Sequence, residues 1–148
     1  AEEFKLASGT WVQAGVVRLA AISACDPVVQ DIVVTAPNRT EIGLLLIPNI
    51  DGCYRMAGTS SSDMSIESVL ASEVVRQHIA SRLAELNVGK TSSQHIGRAL
   101  FLTEPLSMDR GELTDKGYLN QRAILNNQAE LVKELYQGSP KVILPETK

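Results

Sequence analysis

The feature of this sequence that most constrains its fold is an apolar run, Ile42 to Ile47, followed by a proline. The run falls far short of the ~20 residues that a membrane-spanning helix needs. An apolar run without polar alternation is typical of a strand that is covered on both faces. We therefore predict that the run is the central strand of a sheet, ended by Pro48, and we expect no association with a membrane.

The surrounding pattern alternates strand-like and helix-like segments in a chain of 148 residues, which is long enough for one domain with a real core. It predicts an α+β, two-layer fold: a small mixed sheet of about three strands plus an N-terminal β-hairpin, flanked by about three helices. The tail from 138 to 148 is expected to fray unless Val142 to Leu144 docks. In order, the predicted elements are a hairpin at 4–12, a helix at 16–24, strands at 28–34 and 42–47, a loop at 49–63, a helix at 66–87 capped by Ser65, a strand at 96–103 and a helix at 123–136.

The charge and the cysteine content narrow the functional classes. With a net charge of -3, the chain offers no basic surface for nucleic acid or for an anionic membrane. Two cysteines are too few for a disulfide framework, so a reducing, cytoplasmic location is expected. The chain begins without Met, and we expect it to be a segment of a longer protein.

Few side chains outside the loops suggest chemistry. His78 and His95 have no cysteine or carboxylate at a metal-ligand interval, so no metal site is predicted. Cys25 and Cys53 lack a histidine or cationic neighbour in sequence and are predicted to be small apolar fillers. Trp11 follows a glycine turn and could stack on a ligand, although packing is its expected role.

The loop from Gly111 to Arg122 is the strongest candidate for a functional segment. It lies between a predicted strand and the last predicted helix, and loops carried on a rigid scaffold often hold polar chemistry. Lys116, next to Gly117, can reach a phosphate or a carboxylate as a compact point charge. On these residues alone, a solvated turn before a helix is the alternative.

Two segments taken together resemble a known family. They are the N-terminal run Glu2 to Val12 and the loop Gly111 to Arg122, which contains Glu-Leu-Thr-Asp-Lys-Gly. In order and separation they are similar to the C-terminal, or lid, domain of AMP-forming acyl/aryl-CoA ligases of the adenylate-forming superfamily, with feruloyl-CoA synthase as the most similar type. The resemblance covers essentially the whole chain.

The resemblance implies a mobile domain that works with the N-terminal ATP-binding domain of the same enzyme. In the first half-reaction a small aromatic or acyl carboxylate is joined to AMP and pyrophosphate leaves. The small domain then rotates about a hinge, and the CoA thiol attacks. ATP with Mg and CoA would thus serve the full-length enzyme, whereas the isolated domain is expected to bind neither and to show no turnover.

The resemblance also implies roles for residues near the N-terminus. Glu2 corresponds to the acidic hinge position. Lys5, Ser8, Gly9 and Thr10 correspond to the CoA-binding loop, which lines the tunnel for the pantetheine arm. A glycine suits that place because it lets the backbone approach a slender ligand closely.

The resemblance assigns the adenylation lysine to Lys116. In most relatives this lysine comes four residues after a threonine and directly after a glycine, and that register contains Tyr118 here. We assign the role to Lys116 because only a cation suits it: carboxylate attack on the α-phosphate brings two anionic groups together.

The resemblance implies that the chain, 1–148, is a single lid domain, and it leaves two alternative functions open. One alternative is the lid of an adenylating enzyme that loads a carrier protein, and the other is a non-catalytic α+β interaction module.

The predicted lid domain has four segments along the chain. They are a hinge remnant at 1–3, the hairpin at 4–12, an α+β body at 13–137 that contains the lysine loop 111–122, and a tail at 138–148.

Overall fold

The computed structural model describes residues 3–35, 39–91 and 94–147. Its elements within these ranges confirm the predicted α+β class, with a small mixed sheet and an N-terminal hairpin. In order they are β1 (Glu3–Lys5), β2 (Trp11–Gln13), α1 (Ala14–Cys25), β3 (Val29–Val34), β4 (Ile42–Pro48), α2 (Ile50–Ala57), α3 (Ile66–Leu70), α4 (Glu73–Asn87), β5 (Ile96–Phe101), α5 (Gln121–Asn127) and α6 (Ala129–Gln137).

The main sheet has the strand order β3–β4–β5, with β4 in the centre as the apolar run predicts. β3 pairs antiparallel with β4 and β5 pairs parallel with it, so the sheet is mixed. Leu44, Leu45 and Leu46 are completely buried, because side chains that alternate along β4 are covered on both faces of the sheet.

Two hydrophobic clusters cover the two faces of the sheet. Leu44 and Leu46 belong to the cluster that includes residues of α1 and α4, whereas Leu45 packs with residues of α5 and α6. Helices therefore lie on both faces of the sheet. The predicted arrangement had one sheet and one helical layer, and the structure adds a second helical layer. This layer brings α5, which begins within the last residues of the lysine loop, onto the sheet.

The prediction of a loop at 49–63 is wrong in its first half, where α2 forms. Asn49 caps this helix, since its side-chain oxygen accepts a hydrogen bond of 3.0 Å from the Gly52 N–H. Gly58 ends the helix in a left-handed conformation, with φ at +70°. Gly52 had indicated a loop, but it is needed for packing: a Cβ there would overlap the Pro27 carbonyl oxygen.

Two predicted helices are each divided in two. Ser65 caps α3 as predicted, by accepting a hydrogen bond of 3.1 Å from the Ser68 N–H, but the helix is then interrupted before α4. Ser72 lies in the gap and donates its hydroxyl to the Val69 carbonyl at 2.8 Å, so a side chain competes with the helical hydrogen bonds. The helix predicted at 123–136 likewise divides into α5 and α6.

The C-terminal tail docks on the sheet, which is the outcome expected if the segment from Val142 to Leu144 makes contact with the domain. Ala99 and Ile143 exchange backbone hydrogen bonds of 2.9 and 2.8 Å, forming one antiparallel bridge at β5. The Arg76 guanidinium, on α4, donates to the carbonyls of Lys141 and Val142.

Among the described helices, none has the length and apolar character that a bilayer crossing requires.

Candidate functional site

The N-terminal hairpin, defined here as residues 6–10 between β1 and β2, is closed by a tight three-residue loop. The Leu6 N–H donates to the Thr10 carbonyl and the Gly9 N–H donates to the Leu6 carbonyl, each at 2.9 Å. Gly9 has φ at +88°, a conformation that L-residues rarely adopt. A glycine in the left-handed region at the third loop position is a common way to close a hairpin of this length.

The lysine hairpin, defined here as residues 114–118, repeats the same backbone pattern. The Thr114 N–H donates to the Tyr118 carbonyl at 2.8 Å, and the Gly117 N–H donates to the Thr114 carbonyl at 2.9 Å. Gly117 has φ at +83°. Lys116 is therefore the middle residue of a three-residue loop, and its side chain is exposed at the loop tip.

Tyr118, in the usual lysine register, lies at the base of the lysine hairpin. Its side chain is 69% exposed, so neither candidate is enclosed in the interior. Its backbone N–H donates to the Thr114 side-chain hydroxyl at 3.0 Å, which stiffens the base of the loop. Because an ammonium on a four-carbon stem extends beyond the loop, Lys116 is the better placed of the two to reach an anionic group outside this chain.

Glu112 is a functional candidate that the sequence reasoning missed. It is 0% exposed, and its carboxylate lies at the base of the lysine hairpin. One carboxylate oxygen, Oε1, accepts from the Ser107 N–H at 3.0 Å and from the Arg110 guanidinium at 2.9 and 3.2 Å. The other, Oε2, accepts from the Asn127 amide at 3.2 Å. No sequence signal distinguished this glutamate from an exposed one, because its partners are brought together by the turn at 107–111 and by α5.

The surroundings of Glu112 favour its ionised form. Burial by itself would raise the pKa of the Glu112 carboxyl, because it penalises the charged form. The hydrogen bonds from Arg110, Asn127 and Ser107, together with the positive charge of Arg110, outweigh burial and lower the pKa below its ordinary value. A carboxylate at the base of the loop therefore remains charged at neutral pH.

A second anchor joins the end of the lysine loop to the sheet. The Gln121 side chain accepts from the Val34 N–H at 3.3 Å and donates to the Ile32 carbonyl at 3.2 Å, so its amide pairs with the free edge of β3 as a neighbouring strand would. Asn120 caps α5 by accepting from the Ala123 N–H at 3.1 Å. The helix start after the lysine hairpin is thus fixed to the sheet.

A cleft of about 280 Å³ lies between the lysine hairpin and the first turns of α1. Tyr118 and Gln121 line one side, and Gly15 lines the other. Within the cleft, Arg18 and Asp31 form a two-point ion pair with distances of 2.8 and 3.0 Å. Because α1 directly follows β2, the cleft lies between the lysine hairpin and the helix that continues from the N-terminal hairpin.

The structure places the predicted CoA-binding residues on the N-terminal hairpin and the strand before it. Ser8 and Thr10 are linked by a hydroxyl hydrogen bond of 3.1 Å across the loop. The predicted packing of Trp11 is wrong: its side chain is 58% exposed, because β2 turns that face away from the core. The Lys5 ammonium lies 4.9 Å from the centroid of the Trp11 ring, which is a cation–π contact. The predicted hinge residue, Glu2, lies outside the described residues.

The histidines and cysteines take structural positions. His78 and His95 each bond a backbone carbonyl, of Asp26 and Lys90 respectively. Burial raises the pKa of the Cys25 thiol to about 12 and that of Cys53 to about 11, which makes both poor nucleophiles and agrees with the predicted filler role. In the part of the chain that the structure describes, no group of three or more His, Cys, Asp and Glu side chains is arranged to hold a metal ion.

A comparison with protein families assigns most of the chain to one domain family. A family model described as "AMP-binding enzyme C-terminal domain" matches residues 6–140. The chain belongs to this family. The match includes both hairpins, so Ser8, Gly9, Thr10 and Lys116 lie within the region that the AMP-binding enzyme C-terminal domain defines.

Solved structures share the fold of this AMP-binding enzyme C-terminal domain. One is the A-PCP didomain of carboxylic acid reductase from Segniliparus rugosus in complex with AMP, with a TM-score of 0.66 and 18% identity over 93% of this chain and 17% of that one. A second is the A domain of carboxylic acid reductase from the same organism, in complex with AMP and a co-purified carboxylic acid, with a TM-score of 0.66 and 18% identity over 91% of this chain and 20% of that one.

A third solved structure is the adenylation domain of a carboxylate reductase from Mycobacterium chelonae, with a TM-score of 0.58 and 20% identity over 92% of this chain and 19% of that one. No curated protein matches the sequence. At such low identity the likeness concerns the fold. The chain spans 17% to 20% of the length of these three proteins, so most of each has no counterpart here.

Proposed function

We propose that this chain is the mobile C-terminal domain of an AMP-forming carboxylate–CoA ligase of the feruloyl-CoA synthase type, and that Lys116 acts in its adenylation step. The observation that carries the proposal is the position of Lys116, a cation at the exposed tip of a loop whose base is anchored by a buried carboxylate. Membership in the AMP-binding enzyme family supplies the class of reaction.

The role of Lys116 follows from the charges in the adenylation step. A carboxylate oxygen of the acid attacks the α-phosphorus of ATP, a new P–O bond forms, and pyrophosphate leaves with the electron pair of the broken P–O bond. The ammonium of Lys116 offsets the repulsion between the two anions and the charge that develops in the transition state. Removal of one such donor commonly costs on the order of 10²–10³ in rate.

The N-terminal hairpin suits the second step, in which the CoA thiol attacks the acyl-adenylate and AMP leaves. Its tip consists of Ala7, Ser8 and Gly9, so the loop is slender and uncharged. An added Cβ at Gly9 would meet no atom within 4 Å, so the backbone at this point is open to a ligand. We assign Lys5, Ser8, Gly9 and Thr10 to contacts with the pantetheine arm or the nucleotide of CoA.

The two hairpins serve different steps, so the domain has to present each in turn to the N-terminal ATP-binding domain. Such a change is a hinge motion, in which a few residues at the end of an element absorb the change in φ and ψ. We assign the hinge to Glu2, directly before β1.

An alternative acceptor is the phosphopantetheine arm of a carrier protein. The observation that favours it is the likeness in fold to adenylation domains of carboxylic acid reductases, one of them in an A-PCP didomain. Both acceptors end in the same thiol-bearing arm, so the N-terminal hairpin would serve either one. Turnover with free CoA, compared with turnover on an added carrier protein, separates the two.

The test uses the full-length protein that contains this segment. Pyrophosphate release is measured with a panel of hydroxycinnamic and aliphatic acids, for the wild type, Lys116→Ala and the control Lys133→Ala, which removes an exposed lysine from α6. We expect release to fall about 10²–10³-fold in Lys116→Ala alone. Thioester formation from a pre-made acyl-adenylate should stay near the wild-type rate. Unchanged pyrophosphate release, or an equal loss in both steps, contradicts the proposal and leaves the non-catalytic module as the better account.

A further inference from the structure

Glu112 is a buried charge whose hydrogen-bond partners lie in the segments on either side of the lysine hairpin. An ionised side chain that is 0% exposed is costly to bury unless it is paired and hydrogen-bonded. All of its side-chain partners lie close to the lysine hairpin: Ser107 and Arg110 precede it, and Asn127 on α5 follows it. The carboxylate therefore joins the two flanks of the hairpin to each other and not to the sheet.

The backbone of Glu112 closes the same junction. Its N–H donates to the Ser107 carbonyl at 3.0 Å, and its carbonyl accepts from the Asn120 N–H at 2.9 Å. The next residue, Leu113, forms an isolated antiparallel bridge with Leu119. Glu112 is thus the first residue of a short ladder that ends in the loop with Lys116 at its tip. The ladder thus connects Glu112 through two residue pairs to the loop that carries Lys116.

The placement of the lysine matters because the transition state has to be met in one geometry. A misplacement of about 1 Å at a reacting centre can cost on the order of 10²-fold in rate. We propose that Glu112 is a positioning residue for the adenylation lysine, acting by holding the base of the Lys116 hairpin through Ser107, Arg110 and Asn127. The inference rests on the proposed role of Lys116 and adds a residue that touches no substrate.

A purely structural role would give a different kinetic result. If Glu112 only stabilised the fold, its loss would lower the amount of active enzyme and would slow both half-reactions by the same factor. A positioning role concerns one loop, so it should slow the adenylation step and leave the step that uses the other hairpin unchanged. The ratio of the two half-reaction rates therefore separates the two roles.

The experiment uses Glu112→Gln in the full-length protein, because glutamine keeps the volume and removes the charge. Pyrophosphate release and thioester formation from a pre-made acyl-adenylate are measured, with the saturating rate separated from KM. We expect the saturating rate of adenylation to fall roughly tenfold to a hundredfold. The KM for the acid and the rate of thioester formation should stay within about twofold of the wild type, a change of less than half a kcal/mol.

Two further variants keep the test decisive. Glu41→Gln removes a carboxylate that pairs with Arg98 of β5 at 2.6 Å. Among the described residues this carboxylate has no hydrogen bond to the lysine hairpin, so the variant should leave the ratio unchanged. If Glu112→Gln fails to fold, Asn127→Ala removes one donor to the same carboxylate and should show the same imbalance at smaller size.

The outcomes distinguish this inference from the proposed function. An equal loss in both half-reactions of Glu112→Gln, or no loss in either, overturns the positioning role when Lys116→Ala still blocks adenylation. If Lys116→Ala leaves adenylation unchanged, the proposed function itself fails, whatever Glu112→Gln does. A loss confined to adenylation in both variants supports both statements.

Discussion

The N-terminal hairpin and the lysine hairpin have the same backbone pattern but different side chains at the tip. In each, the N–H of the first residue bonds the carbonyl of the fifth, and the fourth residue is a glycine with positive φ, at +88° and +83° respectively. The middle residue of the loop is Ser8 in one hairpin and Lys116 in the other. The backbone thus sets the shape of both loops, and the side chain at the tip decides the chemistry that each can support.

The two hairpins also differ in how they are held. Leu6 and Val12 are buried and anchor the N-terminal hairpin by apolar contact, with one backbone bond from Ala7 to the Arg39 carbonyl at 2.8 Å. The lysine hairpin is held at its base by the hydrogen bonds of Glu112, and Leu119 packs against the cluster that includes residues of α5 and α6. Apolar contacts are non-directional, whereas charge-assisted hydrogen bonds fix an orientation. The proposed role of Lys116 requires a fixed orientation, which the second kind of anchor provides.

The largest effect expected of a change to the N-terminal hairpin comes from a bulky residue at Gly9. In the full-length protein, Gly9→Trp should block the path of the thiol and slow thioester formation about 10²-fold, because the reacting groups no longer reach the right geometry. Pyrophosphate release should stay near the wild-type rate. Gly89→Trp is the matched control, because Gly89 also has positive φ, at +79°, with no atom within 4 Å of an added Cβ. Normal CoA-dependent turnover in Gly9→Trp would remove the tunnel assignment.

The next effect concerns the anchor of the lysine hairpin and its pH dependence. Because the folded-state pKa of Glu112 lies below its ordinary value, the stabilisation by its charge is fully present above the unfolded-state pKa of about 4.3. It is lost as the pH falls through the lower folded-state pKa. The wild type should therefore exceed Glu112→Gln by about 2 kcal/mol in free energy of unfolding at pH 7, and this difference should shrink at acidic pH.

Urea denaturation of wild type and Glu112→Gln between pH 7 and pH 3 measures this difference. Glu67→Gln, which changes an exposed carboxylate on α3, is the control and should differ little from wild type at any pH in that range. A difference for Glu112→Gln that stays constant over the whole range would show that the charge of Glu112 does not stabilise the loop.

The smallest expected effect compares the two loop glycines directly. Gly9→Ala and Gly117→Ala both place a Cβ in open space at positive φ, so each should lower the free energy of unfolding by about 1 kcal/mol. In the full-length protein only Gly117→Ala should slow pyrophosphate release, because it strains the loop that carries Lys116. A matching slowdown in Gly9→Ala would mean that the hairpins do not act in separate steps.

The main sheet could be predicted because its signals are local and repeated. The apolar run at Ile42 to Ile47 predicted the central strand, and the β-branched run at 28–34 predicted its neighbour, which spans Val29–Val34. The helix at α2 could not be predicted, because Gly52 lowers helix propensity and its reason for being there is contact with Pro27, far away in sequence. The break at Ser72 was missed since a serine hydroxyl can face either solvent or the backbone.

The candidate site could be predicted only at its tips. A glycine in each loop indicated a tight turn, and a lysine beside one of them indicated an exposed cation. The anchors could not be predicted, because Glu112 and Gln121 have ordinary polar side chains whose hydrogen-bond partners are a turn and a sheet edge brought close by folding. The exposure of Trp11 depends in the same way on which face of β2 meets the core.

The most direct test of the account is a single-turnover measurement of both half-reactions in the full-length protein, for Lys116→Ala and Gly9→Trp side by side. The account predicts a crossover: Lys116→Ala loses pyrophosphate release but forms thioester from a pre-made acyl-adenylate, and Gly9→Trp does the reverse. If both variants slow both half-reactions by the same factor, the two hairpins do not divide the reaction between them, and the account is wrong.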